Sequence, residues 1–309
     1  MIFLLLPEVE ILDLAGPLQA FHEANRSHAR YSIRICSTRE RVQTDQKLCL
    51  SDLEPLPQVN EGDLIIVPGM PYRATMQLDR RAVRWLRDAS AAGAHVAAVC
   101  TGAFVLGEAG LLNGRRCTTH WSRVDELQRR FRSANVLTNR LFVSDGKITT
   151  SAGIASGIDM ALALIDRAHG PLVAIEVARE MVIYIRRDGS ESQQSIYLDY
   201  RTHLHPGIHK VQDALVHDPA RGYTLPELAS LAGMSRRNLT RLFRKTTGIS
   251  VKEYTTRIRL ELARTLLNDP TMTVNGVAEK CGFSSGRQLR RLWQDSFGMS
   301  PSEQRRERA

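Results

Sequence analysis

The sequence predicts an α/β unit, a layered and mostly parallel sheet flanked by helices, followed by an all-α unit with two helix-turn-helix motifs. Three observations predict it. From Met1 to about Arg186 short apolar runs alternate with helical stretches, the pattern of a parallel sheet covered by helices. Between Thr224 and Arg306 one pattern is written twice, as LASLAGMSRRNLTRLFRKTTGIS (Leu228 to Ser250) and VAEKCGFSSGRQLRRLWQDSFGMS (Val277 to Ser300). Charge follows the repeat: residues 205–309 hold 18 Lys and Arg against 10 Asp and Glu, a net of +8 out of the chain's +9.

In the first part the strand candidates are Ile2–Leu6, Tyr31–Cys36, Asp63–Val67, His95–Val99, Arg116–Thr119 and Lys147–Ser151. The helix candidates are Pro17–Asn25, Arg80–Ala92, Gly102–Ala109, Trp121–Phe131, Ile154–Ala168 and Leu172–Arg186. Asp145-Gly146 marks a hairpin turn. Ile2–Leu6 is only five apolar residues with Glu8 and Glu10 behind it, so it reads as a buried strand and not a signal peptide. No apolar run is long enough for a membrane span. At 309 residues and 43% apolar the chain has room for two ordinary cores. Five cysteines without paired spacing point to a reduced cytoplasm.

The chemically suggestive stretch is His95-Val-Ala-Ala-Val-Cys100-Thr101-Gly102. An apolar strand runs straight into a cysteine at the start of a helix, the setting of a nucleophile elbow, where a thiol pKa can fall. A buried, inert cysteine is the competing reading. Pro68-Gly69-Met70-Pro71 reads as a turn, and His120-Trp121 as core packing or pocket wall. His203, His205 and His209 lie by Pro206 and Gly207 without a Cys or carboxylate at ligand spacing, so they read as linker histidines and no metal is expected. No phosphate loop or cofactor motif is present in the sequence.

Arg186 to Ser195 is polar and lacks apolar period, which reads as a linker. The expected division is 1–187 for the α/β unit, 188–208 for the linker and 209–309 for the helical unit. Ile196–His209 reads as a connector and Lys210–Val216 as a lead helix. Thr224 with Glu227 spells a capping box, and Pro226 suits a first turn. Gly233 and Gly282 take the tight turns, and Ser235 and Ser284 cap the helices that follow. With Leu239, Leu242 and Phe243 inward, Ser235, Arg236, Arg237, Asn238 and Arg241 are left to face DNA. With Leu289, Leu292 and Trp293 inward, Ser285, Arg287, Gln288 and Arg290 are left on the second helix. Arg forks onto guanine, and Asn or Gln onto adenine. The connector helix, about Val251 to Asn268, carries Tyr254, Ile258, Leu262 and Leu266 and is stopped by Asn268-Asp269-Pro270. Such a connector would hold the two reading helices roughly one duplex turn (~34 Å) apart. Asn275-Gly276 opens the second unit, where Gly costs up to ~1 kcal/mol against Ala. A helical bundle with merely solvated arginines is the alternative, and the segregation of charge argues against it.

The last hundred residues resemble the AraC/XylS-type DNA-binding domain through the LAxxAGMSxRxLxRLFRxxxGxS and VAxxCGFSS runs and RIRLELARTLL between them. The first 170 or so resemble the PfpI/ThiJ branch of the class I glutamine-amidotransferase-like superfamily. FLLLPEVEILDLAGPLQAF, IIVPGM, AVCTGAFVLGEAGLLNGRRCTTHW and TTSAGIASGIDMALALI carry that resemblance. It implies an elbow cysteine at Cys100, the pocket acid at Asp13, a pocket edge at Gly69 and Met70, and a pocket His120. Amidase-like members place a His after the cysteine where this chain has Thr101, whereas isonitrile-hydratase-like members keep the Asp–Cys–Thr set found here as Asp13, Cys100 and Thr101. The whole chain resembles the GlxA-type branch of AraC-family regulators. That implies a sequence-specific regulator of promoter DNA, responding to a small metabolite at Asp13, Gly69, Met70, Cys100, Thr101 and His120, with nitrogen-containing metabolites the class to screen. It also implies a homodimer, contact with RNA polymerase and no catalysis. The alternatives are a Cys100-dependent hydratase or hydrolase with autoregulatory DNA binding, and a nonspecific architectural DNA binder.

Overall fold

The structure, a computed structural model, describes residues 1–27, 30–183, 187, 189, 193, 199–267, 269 and 271–308. The chain divides into two compact units, Met1–Gln193 and Gln194–Ala309.

In the first unit a six-stranded sheet runs in the order β2-β1-β5-β6-β10-β9. Its strands are β1 (Ile2–Leu4), β2 (Arg34–Cys36), β5 (Leu64–Val67), β6 (His95–Val99), β9 (Phe142–Asp145) and β10 (Ile148–Ser151). All pairings are parallel except the hairpin β9–β10, which turns at Gly146-Lys147 as the Asp-Gly signal predicts. The short β3 (Val42–Gln43) and β4 (Cys49–Leu50) form a separate antiparallel pair. One expectation is corrected: β7 is only Arg116–Cys117 and pairs in parallel with β8 (Asn135–Val136), outside the main sheet. Two residues carry too little period to choose a partner, so tertiary context chooses it.

Apolar side chains cover both sheet faces. Leu4, Ile65, Val67, Val96 and Ala98 pack with α2 (Arg80–Ala91) and α3 (Gly102–Glu108). Phe3, Ile66, Ala97 and Val99 pack with α1 (Ile11–Ser27), α5 (Ala155–His169) and α6 (Pro171–Glu180). Such continuous burial is what strands covered on both faces require. Helix α1 begins six residues before the expected Pro17, which sits inside it. The buried stripe Leu14, Ala20, Phe21 and Ala24 spans both sides of the proline, and that burial outweighs the lost backbone donor. The expected Trp121–Phe131 helix splits into a 3-10 turn, Trp121–Arg123, and α4 (Val124–Arg130).

Of the linker expected over 186–195, residues 186, 188, 190–192, 194 and 195 lie outside the described residues. The described members are tied to the first unit. Arg187 donates to buried Asp159 on α5, Nη2 to Oδ2 at 2.6 Å. Gly189 accepts from Leu141 N at 3.0 Å, and a Cβ there would lie 2.4 Å from Phe142 O. Gln193 Nε2 donates to Thr119 O and Arg140 O, each at 2.9 Å. Polar composition here serves docking by hydrogen bonds.

In the second unit α7 spans Pro206–His217 and starts four residues before the expected lead helix, because His205 caps it and Pro206 suits its first turn. The helix-turn-helix pairs are α8 (Leu225–Leu231) with α9 (Arg236–Thr247), and α11 (Val274–Lys280) with α12 (Gly286–Phe297). Helix α10 (Val251–Leu266) joins them and α13 (Pro301–Arg308) closes the chain. The unit has two separate cores. Leu228, Leu239, Phe243, Tyr254 and Ile258 belong to the first, and Leu260, Ala263, Val277, Leu289 and Trp293 to the second. Helix α10 therefore serves both, and the inward Leu262 and Leu266 of the expectation are only partly buried. Of the expected stop, Asn268 and Pro270 lie outside the described residues. The Thr224–Glu227 capping box is present. In the second unit the residue at that helical position is Gly276, so Thr273 caps without a reciprocal partner. The expected cap Ser284 is replaced by Ser285, because the second copy carries one extra residue before its helix.

Candidate ligand site and nucleic-acid interface

Four loops leave the carboxyl ends of β1, β5, β6 and β10 and meet at one place, where parallel sheets usually bind ligands. Cys100 follows β6 with φ 56°, a left-handed conformation unfavourable for a side chain bearing a Cβ. The strand ladder holds it there, since Cys100 N donates to Ser151 O at 2.9 Å, and Thr119 Oγ1 donates to Cys100 O at 2.8 Å. Two glycines leave room for the thiol side chain. A Cβ at Gly69 would lie 2.9 Å from Cys100 Cβ, and one at Gly153 would lie 2.9 Å from Cys100 Sγ.

Asp13 reaches this point from the first turn of α1 and is 1% exposed. Its Oδ1 accepts from Ile154 N at 2.6 Å. Its Oδ2, crowded by Gly69, makes no hydrogen bond of ordinary geometry. Burial pushes the Asp13 pKa up to about 6 against the favourable pull of Ile154, Cys100 and Gly69. The same burial, and then the Asp13 charge, push the Cys100 thiol well above the ordinary range. The lowering expected from a helix N-terminus is overturned: α3 is only seven residues long, and its dipole is small beside desolvation and a neighbouring carboxylate.

Thr101 is buried, and its hydroxyl is committed to Met70: it donates to Met70 O and accepts from Met70 N at 2.8 Å. Met70 itself contributes backbone, its side chain being in the core. His120 stands next to Thr119, but its ring is turned to the 3-10 turn it caps, with Nδ1 2.9 Å from Ser122 Oγ. Burial and Arg123 lower its pKa. Sequence reasoning thus assembled Asp13, Gly69, Cys100 and Thr101 but missed Thr119, Gly153 and Ile154, although all three lie in the motifs TTHW and TTSAGI. His203 and His209 stack at 4.4 Å and His205 caps α7.

In the second unit Ser235 caps α9 by accepting from Asn238 N. Arg236, Arg237 and Arg241 are exposed, and Asn238 Oδ1 accepts from Arg241 Nη2 at 2.9 Å. An open groove along α9 is lined by Arg236, Arg237, Thr240, Arg241, Arg244 and Lys245. On α12 Arg287 and Arg290 are exposed. Gln288 Oε1 is occupied, accepting from Ser284 N at 2.7 Å and Ser284 Oγ at 2.9 Å, so a base would have to displace that bond to be read by it.

The DJ-1/PfpI family matches residues 1–167, and a helix-turn-helix domain family matches residues 228–307. The chain is 33% identical to the HTH-type transcriptional regulator CdhR of Pseudomonas aeruginosa over 98% of this chain and 90% of that protein. It is 34% identical to an isonitrile hydratase of Pseudomonas putida over 54% of this chain and 71% of that protein. A crystal structure of an AraC family transcriptional regulator from Pseudomonas putida shares the fold of the first unit. Its TM-score is 0.52 at 23% identity, covering 58% of this chain and 97% of that one. Both halves of the chain are accounted for by one architecture: it belongs to the AraC-type helix-turn-helix transcriptional regulators that carry a DJ-1/PfpI domain.

Proposed function

We propose that the first unit is a non-catalytic sensor of a small, hydrogen-bond-donating metabolite, and that the second unit reads promoter DNA with Ser235, Arg236, Arg237, Asn238 and Arg241 in one segment. Ser285, Arg287, Gln288 and Arg290 read the next. The observation that carries the sensor is Asp13 Oδ2, a buried oxygen without an ordinary partner. With only the Cys100 thiol and Gly69 drawing on it, and no bond of ordinary geometry, that oxygen is under-satisfied, and an N–H of an amine or amide would give it a stronger donor. That favours a nitrogen-containing metabolite held at Asp13, Gly69, Met70, Cys100, Thr101 and His120. A protonated Cys100 and a Thr101 hydroxyl bound to Met70 suit a pocket wall better than a nucleophile and base.

The signal has a short way out. Thr119 bonds the Cys100 carbonyl through its side chain and Gln193 through its own carbonyl. Gln193 ends the first unit, so a ligand that shifts the elbow bears directly on the chain leading to the reading unit. A ligand changes DNA affinity only by its differential affinity for two such arrangements. A homodimer, contact with RNA polymerase and a cytoplasmic location complete the reading, with the α/β unit, expected over 1–187, extended to Gln193.

The second reading is a hydratase acting through Cys100. The strained elbow and an acid titrating near 6 favour it, as does the similarity to the isonitrile hydratase. One experiment separates the two: amine and amide metabolites and an isonitrile are screened against the full chain and Cys100→Ala, following thermal shift and consumption together. A shift without consumption is the expected result. Consumption lost in Cys100→Ala would make the first unit an enzyme.

A further inference from the structure

The two helix-turn-helix units are not packed face to face. Their cores are separate, and a cleft of about 500 Å³ lies between them, walled by Tyr223, Leu228 and Thr240 on one side and Phe283, Gln288 and Leu292 on the other. Two reading helices separated by a cleft need something besides a shared helix to fix their mutual angle. A helix fixes distance along its axis, whereas rotation of each unit about it is limited only by contacts across the gap.

Arg259 makes such contacts. Half-buried in the middle of α10, it donates Nε to Pro219 O at 2.7 Å and Nη2 to Arg221 O at 3.3 Å, both in the loop between α7 and α8 that enters the first helix-turn-helix. Its Nη1 donates to Gly282 O at 2.6 Å, in the turn of the second helix-turn-helix. That turn lies directly on the same loop: a Cβ at Gly282, whose φ is 74°, would lie 2.5 Å from Ala220 O. A planar fork satisfying three carbonyls from two segments is a geometry that lysine cannot reproduce.

We infer that Arg259, with the Ala220–Gly282 contact beside it, is a positioning residue for operator recognition: it sets the angle between the two reading helices and so the spacing at which both engage DNA. Inserting one base pair between the two contacted segments moves the second by roughly 3.4 Å and about 35° around the duplex. A rigid joint converts that into lost contacts; a loosened one swings to follow.

The inference rests on both units reading DNA, and the test keeps the two apart. Full-length protein selects a duplex from a random library, and footprinting locates the two segments. Affinities are then measured for that duplex, for versions with one base pair inserted or deleted between segments, and for a duplex keeping only the first segment. The wild type is expected to lose about tenfold or more on each insertion or deletion. Arg259→Gln is expected to bind the single-segment duplex as the wild type does and to lose most of the spacing penalty. A wild-type spacing penalty in Arg259→Gln overturns the inference, and so does equal weakening on the single segment. If Arg259→Gln does not melt cooperatively, Gly282→Ala, which wedges the other side of the joint, must flatten the spacing dependence instead, and its failure to do so overturns the inference equally. Arg290→Ala is the control: unchanged affinity for the full duplex would mean that the second helix-turn-helix does not read, a failure of the two-motif reading and not of the joint.

Discussion

In the α/β unit the groups gathered at the sheet edge are out of water, with Asp13 1% and Thr101 5% exposed, and each has its position fixed by backbone. In the helical unit Arg236, Arg237, Arg287 and Arg290 stand in solvent on helices whose other faces form the cores. A buried polar group couples function to folding, because its protonation and its partners are part of the native state. An exposed cation is nearly free of the fold, so it can be changed without changing the scaffold. The two units should therefore answer to different variables, pH in one and salt and sequence in the other.

The largest effect expected from this contrast is at Asp13. Its folded pKa of about 6 lies above the ordinary 3.8, so the folded chain holds the proton more tightly than the unfolded one. Stability attributable to Asp13 is then highest below the unfolded value and falls as pH rises from about 4 to about 6, by about 3 kcal/mol for a shift of this size. Asp13→Asn is expected to remove that slope and to be the more stable protein above pH 6. Melts from pH 4 to 7 check it, and an unaltered slope would mean that the carboxylate is solvated. Next comes Arg237→Ala, expected to cost about 1–3 kcal/mol on a selected duplex if it forks onto a base, with no change in melting temperature. Equal loss on random duplex would reassign it to phosphate. The smallest is Gly276→Ala, where a Cβ would meet Thr273 Oγ1 at an ordinary 3.4 Å; a gain of up to ~1 kcal/mol is expected in urea melts of the full chain.

What the sequence made legible follows the same division. Caps are local, so Thr224 with Glu227 and the turn glycines could be read from spacing alone, and the β6-to-α3 elbow from an apolar run ending in Cys-Thr-Gly. The thiol's environment could not, because its pKa is raised first by burial among distant segments and then by Asp13, 87 positions earlier in the chain. Nor could Arg259, which looks in sequence like one more cation in a basic domain and is bound to carbonyls 40 and 23 positions away. The extra residue in the second repeat was visible, but its consequence, a cap moved from Ser284 to Ser285, needed backbone geometry. At 187, 189 and 193 polar composition hid docking, because Arg187 bonds Asp159, Gly189 O accepts from Leu141 N, and Gln193 donates to Thr119 O and Arg140 O.

Helix α10 gives Tyr254 and Ile258 to one core and Leu260 and Ala263 to the other. Neither core can open without stripping half of that helix of its packing, and a helix so exposed is marginal in water. The two repeats should thus form one cooperative unit in native-state hydrogen exchange, with the slowest amides near Ile258 and Leu260, where protection from both cores overlaps. An insertion or deletion in α10 would then be felt by both repeats at once.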